Sequence, residues 1–139
     1  MRQLATVVVA ILLSAVGVSL APAAPAAAQA SCTDYAYYQS EVGWLVEIPT
    51  IGPTHRDNCL LGVGNAGTAV KVLQITLNHC YGSGLAEDGI FGPQTEAALI
   101  RAQTAAHVTP DGVYGPQTRD HIRWWEVGVG LHSCSRLRR

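Results

Sequence analysis

The chain has 139 residues with nine Lys and Arg against ten Asp and Glu, a net charge of −1, so no general field draws it to nucleic acid. Residues 31–139 alone carry eight basic and ten acidic side chains, net −2, which strengthens that exclusion. One hundred and nine residues is the size of one domain.

Met1 to Leu20 holds one early positive charge, Arg2, and then an apolar run from Leu4, followed by the Pro/Ala-rich stretch APAAPAAAQA. This composition predicts a secretory signal peptide over 1–30, cleaved after Ala30 because Ala28 and Ala30 supply the small residues of an A-x-A site. A retained membrane anchor is the alternative, since the run is almost long enough to span a bilayer. Residues 31–58 form an N-terminal arm rich in aromatics (Tyr35, Tyr37, Tyr38, Trp44), in which Trp44, Val46 and Ile48 alternate with Leu45 and Glu47. That alternation predicts a strand-like run ending at Pro49.

Three helices follow from periodicity. In GTAVKVLQITLNHC, Val70, Leu73 and Leu77 make one apolar stripe, with Thr68 available as a cap. A second helix starts at Gly92-Pro93, carries Thr95, Ala98, Leu99 and Ala102 on one face, and ends before Thr109-Pro110. The third starts at Gly115-Pro116 and carries Thr118, Ile122 and Trp125. All are too short to persist alone, so they must bury their stripes against one another. The expected fold class is therefore all-α, a small three-helix bundle with a disulfide-pinned, partly extended N-terminal arm.

The four cysteines, Cys32, Cys59, Cys80 and Cys134, are an even count in an exported chain and predict two disulfides. Three connectivities are possible. The layout favours Cys59–Cys80, which would bracket one helix, and Cys32–Cys134, which would tie the two ends together. In the chain-entropy model such loops contribute about 3 and 4.7 kcal/mol. No C-x-x-C spacing supports a metal site, and none is expected.

The second and third helices are each introduced by the same phrase, DGIFGPQT (88–95) and DGVYGPQT (111–118), offset by 23 residues. Asp-Gly is a turn pair, Phe91 or Tyr114 plugs the core, and Gly-Pro starts a helix. With Gly67-x-x-Val70-x-x-Leu73-Gln74-x-x-Leu77 before them and Gln103 between, the two phrases resemble the peptidoglycan-binding domain family. The resemblance covers Cys59 to Trp125 and implies a three-helix module, attached to bacterial wall hydrolases or secreted alone. The Ala-rich leader and the added disulfides resemble the secreted actinobacterial type. Two departures stand out: Ala102-Gln103 replaces the family's Phe-Gln, leaving a volume that Trp124 or Trp125 must fill, and His107 stands where the family has Gly.

The resemblance divides the chain into a signal peptide (1–30), an arm (31–58), a peptidoglycan-binding domain (59–126) and a C-terminal tail (127–139). It implies a secreted or wall-associated, monomeric, non-catalytic protein that needs no cofactor and binds peptidoglycan by its glycan or its stem peptide. A saccharide or peptide site needs an exposed aromatic with converging polar groups. The candidates are Tyr114, Gln117, Gln94, Asp88 and Asp111. Gln94 and Gln117 have no structural reason to be Gln, and the Tyr114 hydroxyl must reach water or a partner. Asp88 and Asp111 also read as turn residues, and Phe91 reads as core. Arm aromatics read as packing, with a sugar-stacking face as the alternative, and Arg136, Arg138 and Arg139 read as a solvated end or a weak contact with anionic wall polymers.

Catalysis has little to stand on. His55, His79, His107, His121 and His132 show no H-E-x-x-H or H-x-H spacing, and Gly82-Ser83-Gly84 lacks a nucleophile elbow's flanks. Glu87, Asp88 and Asp111 are explained by turns. A different class remains open: a secreted interaction or inhibitor protein that uses the same fold to bind a protein partner.

Overall fold

A computed structural model describes residues 29–128 and 133–138; the signal-peptide expectation falls on residues outside this range except for Gln29 and Ala30, and His132 and Arg139 lie outside it too. The elements in chain order are β1 (Asp34–Gln39), β2 (Leu45–Thr50), α1 (Thr68–Tyr81), α2 (Pro93–Ala105), α3 (Pro116–His121), β3 (Trp124–Val127) and β4 (Cys134–Ser135). The all-α expectation is thus corrected: a four-stranded antiparallel sheet in the order β1-β2-β3-β4 accompanies the helices.

Two misread segments account for the difference. The arm is a hairpin in which Asp34 pairs with Thr50 and Gln39 with Leu45, so β2 runs through Pro49. Proline is tolerated there because β3 reaches only Leu45 and Val46, leaving no ladder partner on that side of Pro49. The third helix stops at His121, with Ile122 already extended, and Trp124–Val127 alternates buried and half-buried with period two. Beyond β4 the chain returns to the hairpin: Glu41 N–H donates to Arg136 O (2.9 Å) and Arg138 N–H to Gln39 O (3.0 Å), closing the sheet on itself. Inside the closure the buried Glu126 carboxylate accepts from the Ser40 hydroxyl (3.1 Å) and from the Ser135 hydroxyl.

One core joins sheet and helices. It contains Val46 and Ile48 of β2, the predicted stripe Val70, Leu73 and Leu77 of α1, Ala98, Leu99 and Ala102 of α2, and Phe91, Tyr114, Ile122 and Trp124. Trp124 is fully buried in the same cluster as Ala102, whose missing ring volume called for such a partner. The helix starts follow their sequence signals in α2 and α3, where Gly92 and Gly115 are extended and Pro opens the helix. At α1 the cap is Gly67 rather than Thr68, with no side-chain bond. The end of α2 is closed by His107 itself, at φ 57°: its N–H donates to Thr104 O (3.1 Å) and Val108 N–H to Gln103 O (3.1 Å), a Schellman arrangement.

Two disulfides form, but with other partners than the layout suggested: Cys32–Cys59 and Cys80–Cys134. Cys32 lies just before β1 and its N–H donates to Leu60 O (3.0 Å), which brings it beside Cys59. The second bridge fastens the end of α1 to β4. Loops of 27 and 54 residues contribute about 3.5 and 4 kcal/mol in the chain-entropy model.

Candidate functional site

Each doubled phrase is organised by a buried glutamine from the preceding helix. Gln74 of α1 is 1% exposed; its Nε2 donates to Asp88 Oδ1 (3.0 Å), Ile90 O (3.0 Å) and Thr95 Oγ1 (3.3 Å), and its Oε1 accepts from Gly89 N–H (2.8 Å). Gln103 of α2 repeats this with Asp111 Oδ1 (2.8 Å), Val113 O (3.0 Å), Thr118 Oγ1 (2.9 Å) and Gly112 N–H (2.9 Å). In both copies the Asp carboxylate also takes the N–H two residues on, at 2.9 Å. The glycines are fixed by conformation and space: Gly89 has φ 73° and a Cβ there would sit 2.9 Å from Gly67 O, while at Gly112 (φ 72°) it would sit 2.8 Å from Glu96 Cγ. The Ile90 N–H, and after it the Gln74 amide, hold the Asp88 carboxyl below the usual range.

The phrase is therefore a glutamine-reading turn, and Asp88 and Asp111 are first of all members of that turn. Gln74 and Gln103 were not among the predicted site residues. Their signal was present: a Gln directly follows a buried apolar residue (Leu73, Ala102) in the helix ahead of each phrase.

The copies part at their surfaces. Around the first, Leu85, Ala86, Asp88, Ile90, Pro93 and Gln94 line an open groove of about 410 Å³, floored by Gln74 and Thr95. Ile90 is 59% exposed and Gln94 is exposed. The groove thus offers an apolar wall, a carboxylate held charged, and an amide free to turn.

Around the second copy, Tyr114 is fully buried, and the expectation that it contacts ligand is corrected. Its backbone exchanges hydrogen bonds with Leu61 (2.8 and 3.0 Å), and its ring meets Trp124 edge-on at 6.0 Å. Its hydroxyl finds no hydrogen-bond partner in the core, and burial pushes the phenol well up. Nearby, Arg119 bridges Asp57 (2.8 Å) and Asp120 (2.7 Å); burial works against its charge, but these carboxylates outweigh it and keep the guanidinium more firmly protonated than usual. Gln117 is exposed on α3, apart from the Gln94 groove, and its carbonyl bonds the His121 ring (2.8 Å).

A second aromatic surface lies on the hairpin. Tyr35 and Tyr37 meet edge to face at 5.7 Å beside Pro53 and His55 in a hollow of about 370 Å³. Hydrogen bonding to Tyr35, with the Glu47 charge, pushes the Tyr37 phenol up to about 12. Among the described residues no three His, Cys, Asp or Glu side chains converge on a metal position, and no helix is long and apolar enough to cross a membrane.

Known proteins give this geometry a context. A fused Zn-dependent amidase/peptidase/peptidoglycan-binding domain-containing protein from Clostridium acetobutylicum is similar at 36% identity over 42% of this chain and 26% of its own, with a TM-score of 0.41. A peptidoglycan-binding protein from Clostridioides difficile, solved in complex with glutamine hydroxamate, is similar at 29% identity over 55% of this chain and 43% of its own, with a TM-score of 0.45. The chain spans less than half the length of either. No protein of curated function matches it. The family model described as putative peptidoglycan binding domain matches residues 66–122, from the turn before α1 to the end of α3, including both copies of the phrase. Over residues 66–122 this chain matches the peptidoglycan-binding domain family.

Proposed function

We propose that the protein is exported, is not an enzyme, and binds peptidoglycan through the groove of the first phrase, with Gln94 and Asp88 as its polar contacts. The observation that carries this reading is the open groove beside Gln94 within the family-matched segment. Two disulfides suit an oxidising compartment, and the segment 1–30 has the composition of a cleaved leader. An apolar wall beside an amide and a carboxylate suits an N-acetylated sugar or a short peptide stem, both of which present methyl groups next to amides.

Asp111 belongs to the turn of the second copy, and Gln117 is a contact only if ligand extends from the groove across α3. The competing reading, a protein-binding scaffold, draws on the hairpin end, where Val42, Trp44 and Leu45 are 62%, 47% and 45% exposed. Co-sedimentation of residues 31–139 with purified insoluble peptidoglycan, with chitin and cellulose as controls, separates them. Enrichment on peptidoglycan alone is expected at tens of micromolar protein; its absence overturns the proposal in favour of a protein partner.

A further inference from the structure

A cleft of about 350 Å³ lies where the ends of α1 and α2 meet His121 and the residues flanking β3 and β4, and among the described residues its lining includes Tyr81, Ala106, His121, Arg123 and Arg136 but no carboxylate. Neither arginine side chain has an ion pair or hydrogen bond among the described residues. Nor are the guanidiniums needed as helix caps. Gly82 N–H takes Asn78 O at the end of α1, and His107 and Val108 N–H take Thr104 O and Gln103 O at the end of α2. Tyr81 is half-buried and its hydroxyl accepts the Arg123 N–H at 2.7 Å, which leaves its own proton to donate into the cleft. Burial pushes the Tyr81 phenol up, while the Arg123 N–H and the charges of Arg123 and Arg136 pull it back. The Cys80–Cys134 bridge holds the two sides together. A neighbouring hollow of about 450 Å³ shares His121 and Arg136 and adds Arg138, with Glu41 and Asp120 as its acidic members.

We infer that the Tyr81–Arg123–Arg136 cleft is an oxyanion-binding site, taking a carboxylate or a phosphate diester carried by an extracellular polymer. Two exposed guanidiniums without an acceptor among the described residues and a hydroxyl proton line one cleft, and a two-oxygen anion satisfies all three donors. The site is separate from the groove of the first phrase and stands or falls independently of peptidoglycan binding there.

The test is an NMR titration of residues 31–139 with two probes, N-acetyl-alanyl-alanine for a peptide carboxylate and dimethyl phosphate for a phosphate diester. Saturable shifts of the Arg123 and Arg136 Nε–H and Tyr81 ring signals are expected with at least one probe, and the tighter probe identifies the source of the anion. Arg123→Gln and Arg136→Gln are each expected to weaken binding fivefold or more, while Arg101→Gln, an exposed arginine on α2, leaves it unchanged. Should either cleft variant fail to fold, the wild-type shift map decides alone. No saturable shift with either probe, shifts spread evenly over all arginines, or an equal loss in Arg101→Gln overturns the inference.

Discussion

Residues 88–95 and 111–118 share a hydrogen-bond network position by position and expose the same members, Asp88, Ile90 and Gln94 against Asp111, Val113 and Gln117, yet they are packed by different neighbours. The first copy leans on the loop at Gly64–Ala66 and leaves Ile90 and Gln94 at the edge of an open groove. The second is packed by other elements: Glu96 and Ile100 of α2 lie against Gly112, and Leu61 and Trp124 lie against Tyr114. A repeated turn thus borders a groove in one copy and, through Tyr114 and Trp124, meets the sheet in the other. Identity of sequence carried the turn chemistry into both copies; what packs against each decided its duty.

If the copies are equal in their interiors, removing either glutamine should cost the same. Gln74→Leu and Gln103→Leu each leave a Gly N–H and an Asp-Gly turn without their partner, and each should destabilise by about 3 kcal/mol or more. Urea denaturation checks this; losses differing by more than about 1 kcal/mol would break the equivalence. A smaller effect separates the helix ends that precede the two phrases. Gly82 ends α1 at φ 61° without strain, whereas His107 ends α2 at φ 57° with a side chain that disfavours it. His107→Gly should therefore raise thermal stability by roughly 0.5–1 kcal/mol and Gly82→Ala should lower it by about 1 kcal/mol. Smallest of all is Tyr114→Phe, which makes the second copy match the first and removes a hydroxyl with no partner. A change between neutral and a gain of about 1 kcal/mol is expected in the same denaturation experiment; a loss above 1 kcal/mol would show that the hydroxyl is satisfied in solution.

Much of the helical unit was legible because its signals are local. Gly-Pro marked both helix starts, the stripes Val70–Leu77 and Thr95–Ala102 marked the buried faces, and Phe91 marked a core plug. The sheet was not, because Trp124-Trp125-Glu126-Val127 is too short to distinguish a helical period from a strand period, and only pairing with β2 settles it. The disulfide partners depend on the same pairing, since Cys80 meets Cys134 only when β4 returns beside β3. Tyr114 was misplaced for a related reason: its hydroxyl argued for exposure, but the surface it would have faced is covered by Leu61 and Trp124, residues outside the phrase. Gln74 and Gln103 were read as family markers; their signal, a Gln directly after a stripe residue ahead of each phrase, takes on its meaning only with the turn that each one holds.

The assignment of binding to the groove of the first copy is tested most directly by paired variants in peptidoglycan co-sedimentation. Gln94→Ala and Ile90→Asp alter the groove of the first copy, and Gln117→Ala and Val113→Asp alter the matching positions of the second. The account predicts at least a fivefold loss of affinity for the first pair and less than a twofold change for the second, with melting temperatures unchanged throughout. Equal losses in both pairs, or a loss confined to Gln117 and Val113, would contradict it.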